Sequence, residues 1–307
     1  MPESVLKQIG TAADSVYAER HAVLEGKLNN LLGRAYYSST GFILYNLDSL
    51  DVLEQLNGAG NVAVDLTITS PPYNIGKEYE QKLRVEDYIE WCSRWMKLVH
   101  GVTSANGSLW LNLGYFEVPE KGLCVPIPYL LWDKSPFYLL QEIVWQYGAG
   151  VSCTTRLSPR NEKWMFYVKD PEKYTFHLDD IRDSNVKYPN QKKNNKYRCN
   201  PLGKNPSDVW SFPKVTTGNN RSSKERTAHP AQFPVPVVDR IVKACSSPSD
   251  LVFDPFAGSA TTGIVARANS RLFVGVELDE RYCEVAAKRY EAVLKEHAEM
   301  SRQTRLF

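Results

Sequence analysis

A chain of 307 residues and 34.9 kDa, 43% hydrophobic with 37 basic and 35 acidic side chains, can bury a large core and mixes its charges too evenly for wholesale disorder. Six cysteines, at 92, 124, 153, 199, 245 and 283, form no C-x-x-C pair, which argues against a zinc site (no metal is expected) or a disulfide framework and for free thiols in a reducing compartment. The N-terminus lacks a signal-peptide pattern and no apolar run approaches the roughly 20 residues that span a bilayer, so a soluble, cytoplasmic protein with no membrane partner is expected.

Residues 1–34 read as helix, with Val16, Val23, Leu24, Leu28, Leu31 and Leu32 at near-helical spacing and Gly33 as the stop. Gly41–Tyr45 reads as a strand, and Ser49–Leu56 as a helix capped by Asp48 or Ser49. The β-rich run Val62–Thr69 halts at Ser70-Pro71-Pro72-Tyr73, because two consecutive prolines cannot continue a ladder. A helix near Val85–His100 and a strand Ser108–Gly114 follow, then Phe137–Gln146 and Trp164–Lys169 as antiparallel neighbours. Residues 171–228, rich in Lys, Asn, Pro and Ser, read as a loop-rich insertion and not a core element. Between Ile181 and Thr227, 11 Lys and Arg meet 3 Asp and Glu, a local +8 on a body that is otherwise −6. Such a concentration suits phosphate binding, although a solvated loop has the same composition. The chain ends as helix Phe233–Ala244, strand Asp250–Asp254, helix Thr261–Ala268, strand Arg271–Glu277 and helix Glu280–His297, a succession that indicates a parallel, doubly wound sheet.

Two constellations carry chemistry. In Asp254-Pro-Phe-Ala-Gly-Ser-Ala-Thr-Thr-Gly263, between a strand and a helix, small residues at 257–260 let a ligand approach the backbone. The next strand ends in Glu277, an acid able to accept both hydroxyls of a ribose. The turn lacks G-x-G-x-x-G and a phosphate-binding lysine pattern, so a nucleoside without pyrophosphate fits better than NAD or ATP, while a tight packing turn is the plainer alternative. In Ser70-Pro71-Pro72-Tyr73, the Ser70 side chain and the Pro71 carbonyl can each accept one N–H of an aromatic amine. That favours a tetrahedral nitrogen with its lone pair aimed at an electrophile, and the stabilisation is greatest in the transition state. Tyr73 offers a face on which an extruded base can stack; a simple diproline turn after a strand is the alternative.

With both segments in view, the chain resembles the DNA amino-methyltransferases in their permuted "beta" order, in which S-P-P-Y comes first, the recognition region next and D-P-F-x-G-S last. The match runs from about Phe42 to Tyr290 and takes in Leu47-Asp48-Ser49-Leu-Asp-Val-Leu53, with Leu47 in place of the usual glycine, Asp208-Val-Trp210 and His229-Pro-Ala-Gln-Phe-Pro234. The resemblance implies an α/β, Rossmann-like S-adenosylmethionine-dependent methyltransferase sheet with a loop-rich inserted target-recognition region. The segments would be a helical extension (1–40), a catalytic half (41–170), a recognition region (171–228) and a cofactor half (229–307). Carried over, Ser70, Pro71, Pro72 and Tyr73 are catalytic. Asp254, Phe256, Gly258 and Glu277 hold S-adenosylmethionine with Pro255, Ala257 and Ser259 of the same turn, helped by Asp48, His229 and Pro230. Phe256 would lie near the sulfonium, where an aromatic face favours positive charge. Ala260 stands where the family often has glycine, which is tolerable if the backbone there is not left-handed. Duplex DNA would be bound through Lys192, Lys193, Lys196, Arg198, Arg221, Lys224 and Arg226. S-P-P-Y leans towards cytosine N4 and D-P-P-Y towards adenine N6. The resemblance also admits a cognate restriction endonuclease acting on the same site and a homodimer. A non-catalytic nucleic-acid-binding protein would need a degraded segment, and an RNA or protein-glutamine methyltransferase would show N-P-P-Y in unpermuted order.

Overall fold

The computed structural model describes residues 15–76, 82–148, 150, 152–215 and 225–304. In chain order the elements are α1 (Ser15–Leu32), β1 (Tyr37–Ser39), β2 (Phe42–Asn46), α2 (Ser49–Ala59), β3 (Val64–Thr69), α3 (Val85–Val102) and β4 (Thr103–Leu113). A hairpin, β5 (Tyr115–Val118) and β6 (Gly122–Pro126), leads to the single turn α4 (Pro128–Leu131) and to β7 (Tyr138–Gln146) and β8 (Asn161–Val168). Then come β9 (Lys192–Lys193), β10 (Lys196–Tyr197), β11 (Val209–Ser211), α5 (Val235–Cys245), β12 (Leu251–Asp254), α6 (Thr261–Ala268), β13 (Leu272–Glu277) and α7 (Glu280–Thr304).

Among the described residues, nine strands form one sheet in the order β1-β2-β13-β12-β3-β4-β8-β7-β11. Five adjacent strands, β2, β13, β12, β3 and β4, run parallel; β8 runs antiparallel to β4, and β7, antiparallel to β8, returns to the direction of the five. Apolar side chains point alternately to the two faces, as the two-residue period of a strand requires. Phe42 and Leu44 of β2 pack with Leu66 and Ile68 of β3 under α5, α6 and α7. Ile43 and Tyr45 face the opposite layer of α1, α2 and α3. Helix α3 buries Tyr88, Cys92, Trp95, Met96, Val99 and Val102, spaced three and four apart, which is the stripe that seats a helix on a sheet. Helix α2 starts at Asp48, whose carboxylate accepts from the backbone N–H of Leu50 (2.8 Å) and Asp51 (3.3 Å); of the two expected caps it is Asp48 that serves.

Three features depart from expectation. In α1, Val16 and Val23 face solvent (57% and 55% exposed), and Tyr17, His21 and Leu28 are the buried residues, with Leu24 and Leu31 packed against the same cluster. The stripe runs through Tyr17 and His21 because both have apolar bodies, and the Tyr17 hydroxyl reaches the Arg271 carbonyl at 2.9 Å. The insertion 171–228 contributes to the core: β11 pairs parallel with β7, and Trp210 is 5% exposed and stacks on Trp110 at 5.7 Å. Short strands β1, β5, β6, β9 and β10 add to the expected elements, each too brief to show a period. The β9–β10 hairpin turns through Asn194 and Asn195 at φ 51° and 59°, the two consecutive left-handed residues of a tight hairpin turn.

Candidate active site

Strands β3 and β12 are sheet neighbours, with Val252 paired to Leu66 and Phe253 to Thr67. Both end at the same edge, so the turns that follow them face a common space. That space is a cleft of about 1580 Å³ lined by Ser70, Pro71, Pro72 and Tyr73, by Asp48, by His229 and Pro230, by the whole run Asp254–Ser259 and by Glu277. Residues 70 and 254, far apart in the chain, therefore meet in one cavity, and every residue expected at the catalytic and cofactor sites lines it.

The Ser70–Tyr73 turn is fixed on three sides. The Tyr88 hydroxyl donates to the Pro72 carbonyl (2.8 Å) and the Tyr73 hydroxyl to Asn112 Oδ1 (2.7 Å). Asn74, buried at φ 60°, donates from Nδ2 to the Leu83 carbonyl (2.9 Å) and accepts at Oδ1 from Leu83 N (2.6 Å), which ties the turn to the return of its loop. Gly114 clears a path for the ring: a Cβ there would stand 3.0 Å from Tyr73 Cε2 and 3.9 Å from Glu162 Cγ. Tyr73 and Glu162 are thus adjacent across a bare backbone.

The second turn is organised by buried acids. Asp254 is 2% exposed and accepts at Oδ1 from Thr69 Oγ1 (2.7 Å) and Phe256 N (3.1 Å), and at Oδ2 from Thr262 Oγ1 (2.9 Å). Burial pushes its carboxyl up to about 7 against the pull of those donors. Glu277 accepts from the backbone N–H of Gly258 and of Asp279, each at 2.9 Å, and burial raises it too. These bonds fix the carboxylate at the strand end and leave it acceptor capacity for hydroxyl donors. Gly258, at φ 51°, lies under the His229 ring, and a Cβ there would come within 2.8 Å of Nε2. His229 Nδ1 accepts from Ala231 N (3.2 Å) and the ring meets Tyr282 edge-on at 4.4 Å; burial pushes the imidazole down to about 4, so it is neutral with its proton on Nε2. Ser49 Oγ donates to the Pro255 carbonyl, joining α2 to the turn. Phe256 packs on Trp91 (5.5 Å) and Trp95 (5.4 Å). Ala260 differs from expectation: its backbone is left-handed, φ 53° and ψ 39°. Arg289 of α7 compensates by binding the Ser259 carbonyl (2.9 Å), Ser259 Oγ (3.2 Å) and Thr261 Oγ1 (2.7 Å); burial brings its guanidinium down to about 10.

The donor set fits a sulfonium nucleoside: a carboxylate for ribose hydroxyls, an aromatic wall and a glycine floor without side-chain bulk. Beyond them the cleft holds residues that no motif announced. Lys214 Nζ bonds Glu162 Oε1 (2.6 Å) and lies 3.9 Å over the Tyr147 ring. Burial, the largest single influence, would lower Lys214, but the charge and hydrogen bond of Glu162 together with Tyr147 outweigh it and leave the amine raised. Arg156 and Arg160 line the same mouth. The signal that could have found Asn112 and Glu162 is a polar side chain inside or at the end of an apolar strand. Of the expected DNA-binding residues, Lys192, Lys193, Lys196 and Arg198 are exposed on and beside the β9–β10 hairpin, Arg226 is half-buried, and none of these five lines the cleft. Arg221 and Lys224 lie outside the described residues. Among the described residues no helix is long and apolar enough to cross a membrane.

Comparison with known proteins agrees with this geometry. The sequence model of a DNA methylase family, the N6/N4 methyltransferases, matches residues 64–288. The chain is 56% identical over 281 residues to Type II methyltransferase M.ScaI of Streptomyces caespitosus, covering 91% of each chain. It is 33% identical over 258 residues to DNA adenine methyltransferase YhdJ of Escherichia coli (strain K12), covering 81% of this chain and 83% of that one. The fold matches that of the PvuII DNA methyltransferase (cytosine-N4-specific) with a TM-score of 0.64 at 20% identity, over 86% of this chain and 94% of the other. The chain belongs to the N6/N4 family of DNA methyltransferases, which draw their methyl group from S-adenosylmethionine.

Proposed function

We propose that this enzyme methylates the exocyclic N4 of cytosine at a specific site in duplex DNA, as the modification half of a restriction-modification system. One observation carries the reading: Ser70 and the pocket of Asp254 and Glu277 open into the same cleft from neighbouring strand ends. The Type II relatives support the role beside a restriction endonuclease acting on the same site.

S-adenosylmethionine supplies an electrophilic methyl carbon on a sulfonium. The rest is work for this chain. Asp254, with Pro255, Phe256, Ala257, Gly258 and Ser259, shapes the seat, Glu277 takes ribose hydroxyls, and Asp48, His229 and Pro230 close its flank. The lysines and arginines at 192, 193, 196, 198, 221, 224 and 226 hold phosphates. The target base leaves the stack at a cost of about a few kcal/mol and lies on Tyr73. Its two N–H groups donate to Ser70 Oγ and the Pro71 carbonyl, with Pro72 stiffening the turn, so the nitrogen lone pair faces the methyl carbon. The nitrogen would form one C–N bond as the methyl–sulfur bond breaks, leaving S-adenosylhomocysteine as a neutral thioether, and the methylated amine would then lose one proton to solvent; no covalent enzyme intermediate arises. For cytosine, the support is Ser70 itself, a neutral acceptor suited to the more polarised amine, and the Lys214 cation, a donor for the ring carbonyl that adenine lacks.

The test is sequencing of DNA from cells expressing the protein, with detection of both modified bases. N4-methylcytosine at one short motif is expected. N6-methyladenine would establish the second reading, which the adenine-methylating relative favours, and neither modification would overturn both. In vitro, Ser70→Ala should lower kcat about 10²–10³-fold while S-adenosylmethionine Kd changes less than about twofold.

A further inference from the structure

We infer that Leu157 is the wedge that fills the gap in the DNA stack when the target base turns into the cleft. The inference rests on the DNA-methylating reading above. Leu157 lies in the loop between β7 and β8, lines the cleft, and is 94% exposed, more than any other large apolar side chain among the described residues. A lone exposed leucine needs no explanation in general. This one stands at the mouth of the cavity, between two cations, on a braced loop.

The bracing is visible in the backbone. Gln146 and Asn161 close the β7–β8 ladder, and Tyr147 N donates to the Arg160 carbonyl at 2.9 Å just beyond it. Within the loop Cys153 N donates to Ser158 Oγ at 3.0 Å, and Pro159 fixes its own φ. The tip is therefore presented from a defined base. Arg156 precedes the leucine and Arg160 follows three residues later, its Nη1 donating to the Pro159 carbonyl at 2.8 Å; both line the same cleft. An apolar tip flanked by guanidinium groups matches a base step flanked by phosphates, the pattern used by side chains that enter a duplex between bases. A base drawn into the cleft leaves its vacancy at the cleft's mouth, where this tip is. Leucine can occupy that vacancy without presenting a polar group to the stack, which keeps the extruded state from collapsing back.

The experiment uses the full chain with S-adenosylmethionine and two duplexes carrying the methylation site found by cell sequencing. In one the target is paired; in the other its partner nucleotide is abasic, so that extrusion costs little. For Leu157→Ala, single-turnover methylation should fall about tenfold or more on the paired duplex and stay within about twofold of wild type on the abasic one. Leu157→Met should recover most of the loss on the paired duplex. Equal losses on both duplexes, or no loss on either, would overturn the wedge and leave the methyltransferase reading intact. Failure of the wild type on both duplexes would instead remove the reading beneath it.

Discussion

Ala260 carries a strain that its neighbourhood holds in place. A non-glycine residue in the left-handed region costs about 1–2 kcal/mol, and Ala260 sits there, fully buried, at the head of α6. Ala260→Gly is expected to raise the urea midpoint by about 1 kcal/mol equivalent with an unchanged m-value; a destabilised variant would mean that the methyl's packing outweighs the strain. His229 gives a pH signature. Its folded pKa of about 4 lies below the unfolded 6.5, so the unfolded chain binds the proton first and stability falls as pH drops from about 6.5 to about 4. In His229→Asn an amide oxygen can accept from Ala231 N as Nδ1 does now. Between pH 7.5 and 4.5 the wild type should therefore lose about 2–3 kcal/mol more than the variant in urea unfolding, and parallel pH profiles would refute the buried neutral ring. At this scale the sequence was legible where proline, glycine or an acid at a strand end leaves little choice, as at Ser70-Pro71-Pro72-Tyr73 and Glu277. The φ of Ala260 was not, because Arg289 and the Asp254 bonds that hold the turn come from elsewhere in the chain.

The loop from β7 to β8 and the stretch after β11 show what an element adds. Trp145 and Tyr147 leave β7, Glu162 enters β8, and Lys214 arrives from the far side of the insertion to lie among them. Lysine in a basic loop reads as solvated; its partial burial depends on β11 joining the sheet, and a three-residue parallel edge strand has no sequence period to betray it. Other elements were legible for the opposite reason: α3 and α5 repeat their apolar positions often enough to fix a face, and β2 and β13 are apolar runs buried on both faces of the sheet. Lys214→Met keeps the aliphatic stem on the Tyr147 ring and removes the charge, leaving Glu162, 17% exposed at its side chain, unpaired. The variant should lose about 1–2 kcal/mol in urea unfolding and methylate DNA more slowly, with S-adenosylmethionine affinity unchanged. Adding Glu162→Gln should restore part of the stability, since it removes the orphaned charge; a further drop would show that the two residues do not act as a pair.

Over the whole molecule, a single hydrogen bond spans 185 residues: Thr69 Oγ1, one position before Ser70, donates to Asp254 Oδ1 at the head of the turn after β12. Each turn could be named from local sequence, but their meeting follows from β12 lying against β3, a pairing that right-handed parallel crossovers allow without dictating. Thr69 is fully buried, so Thr69→Val removes the donor at nearly constant volume. Asp254 already titrates at about 7, above its unfolded 3.8; the folded chain keeps the proton longer than the unfolded one, so this group's contribution falls as pH rises from about 4 to about 7 and is constant above. Loss of the Thr69 donor disfavours the carboxylate further and carries that fall to higher pH. The gap in stability between wild type and variant should be about 1 kcal/mol at pH 5, where the proton is on in both, and widen to about 2–3 kcal/mol by pH 8.5, as expected for losing a bond to a charged acceptor. A gap that does not change with pH would show that Thr69 braces β3 alone, and that the two halves of the cleft are held together by the sheet and not by this acid.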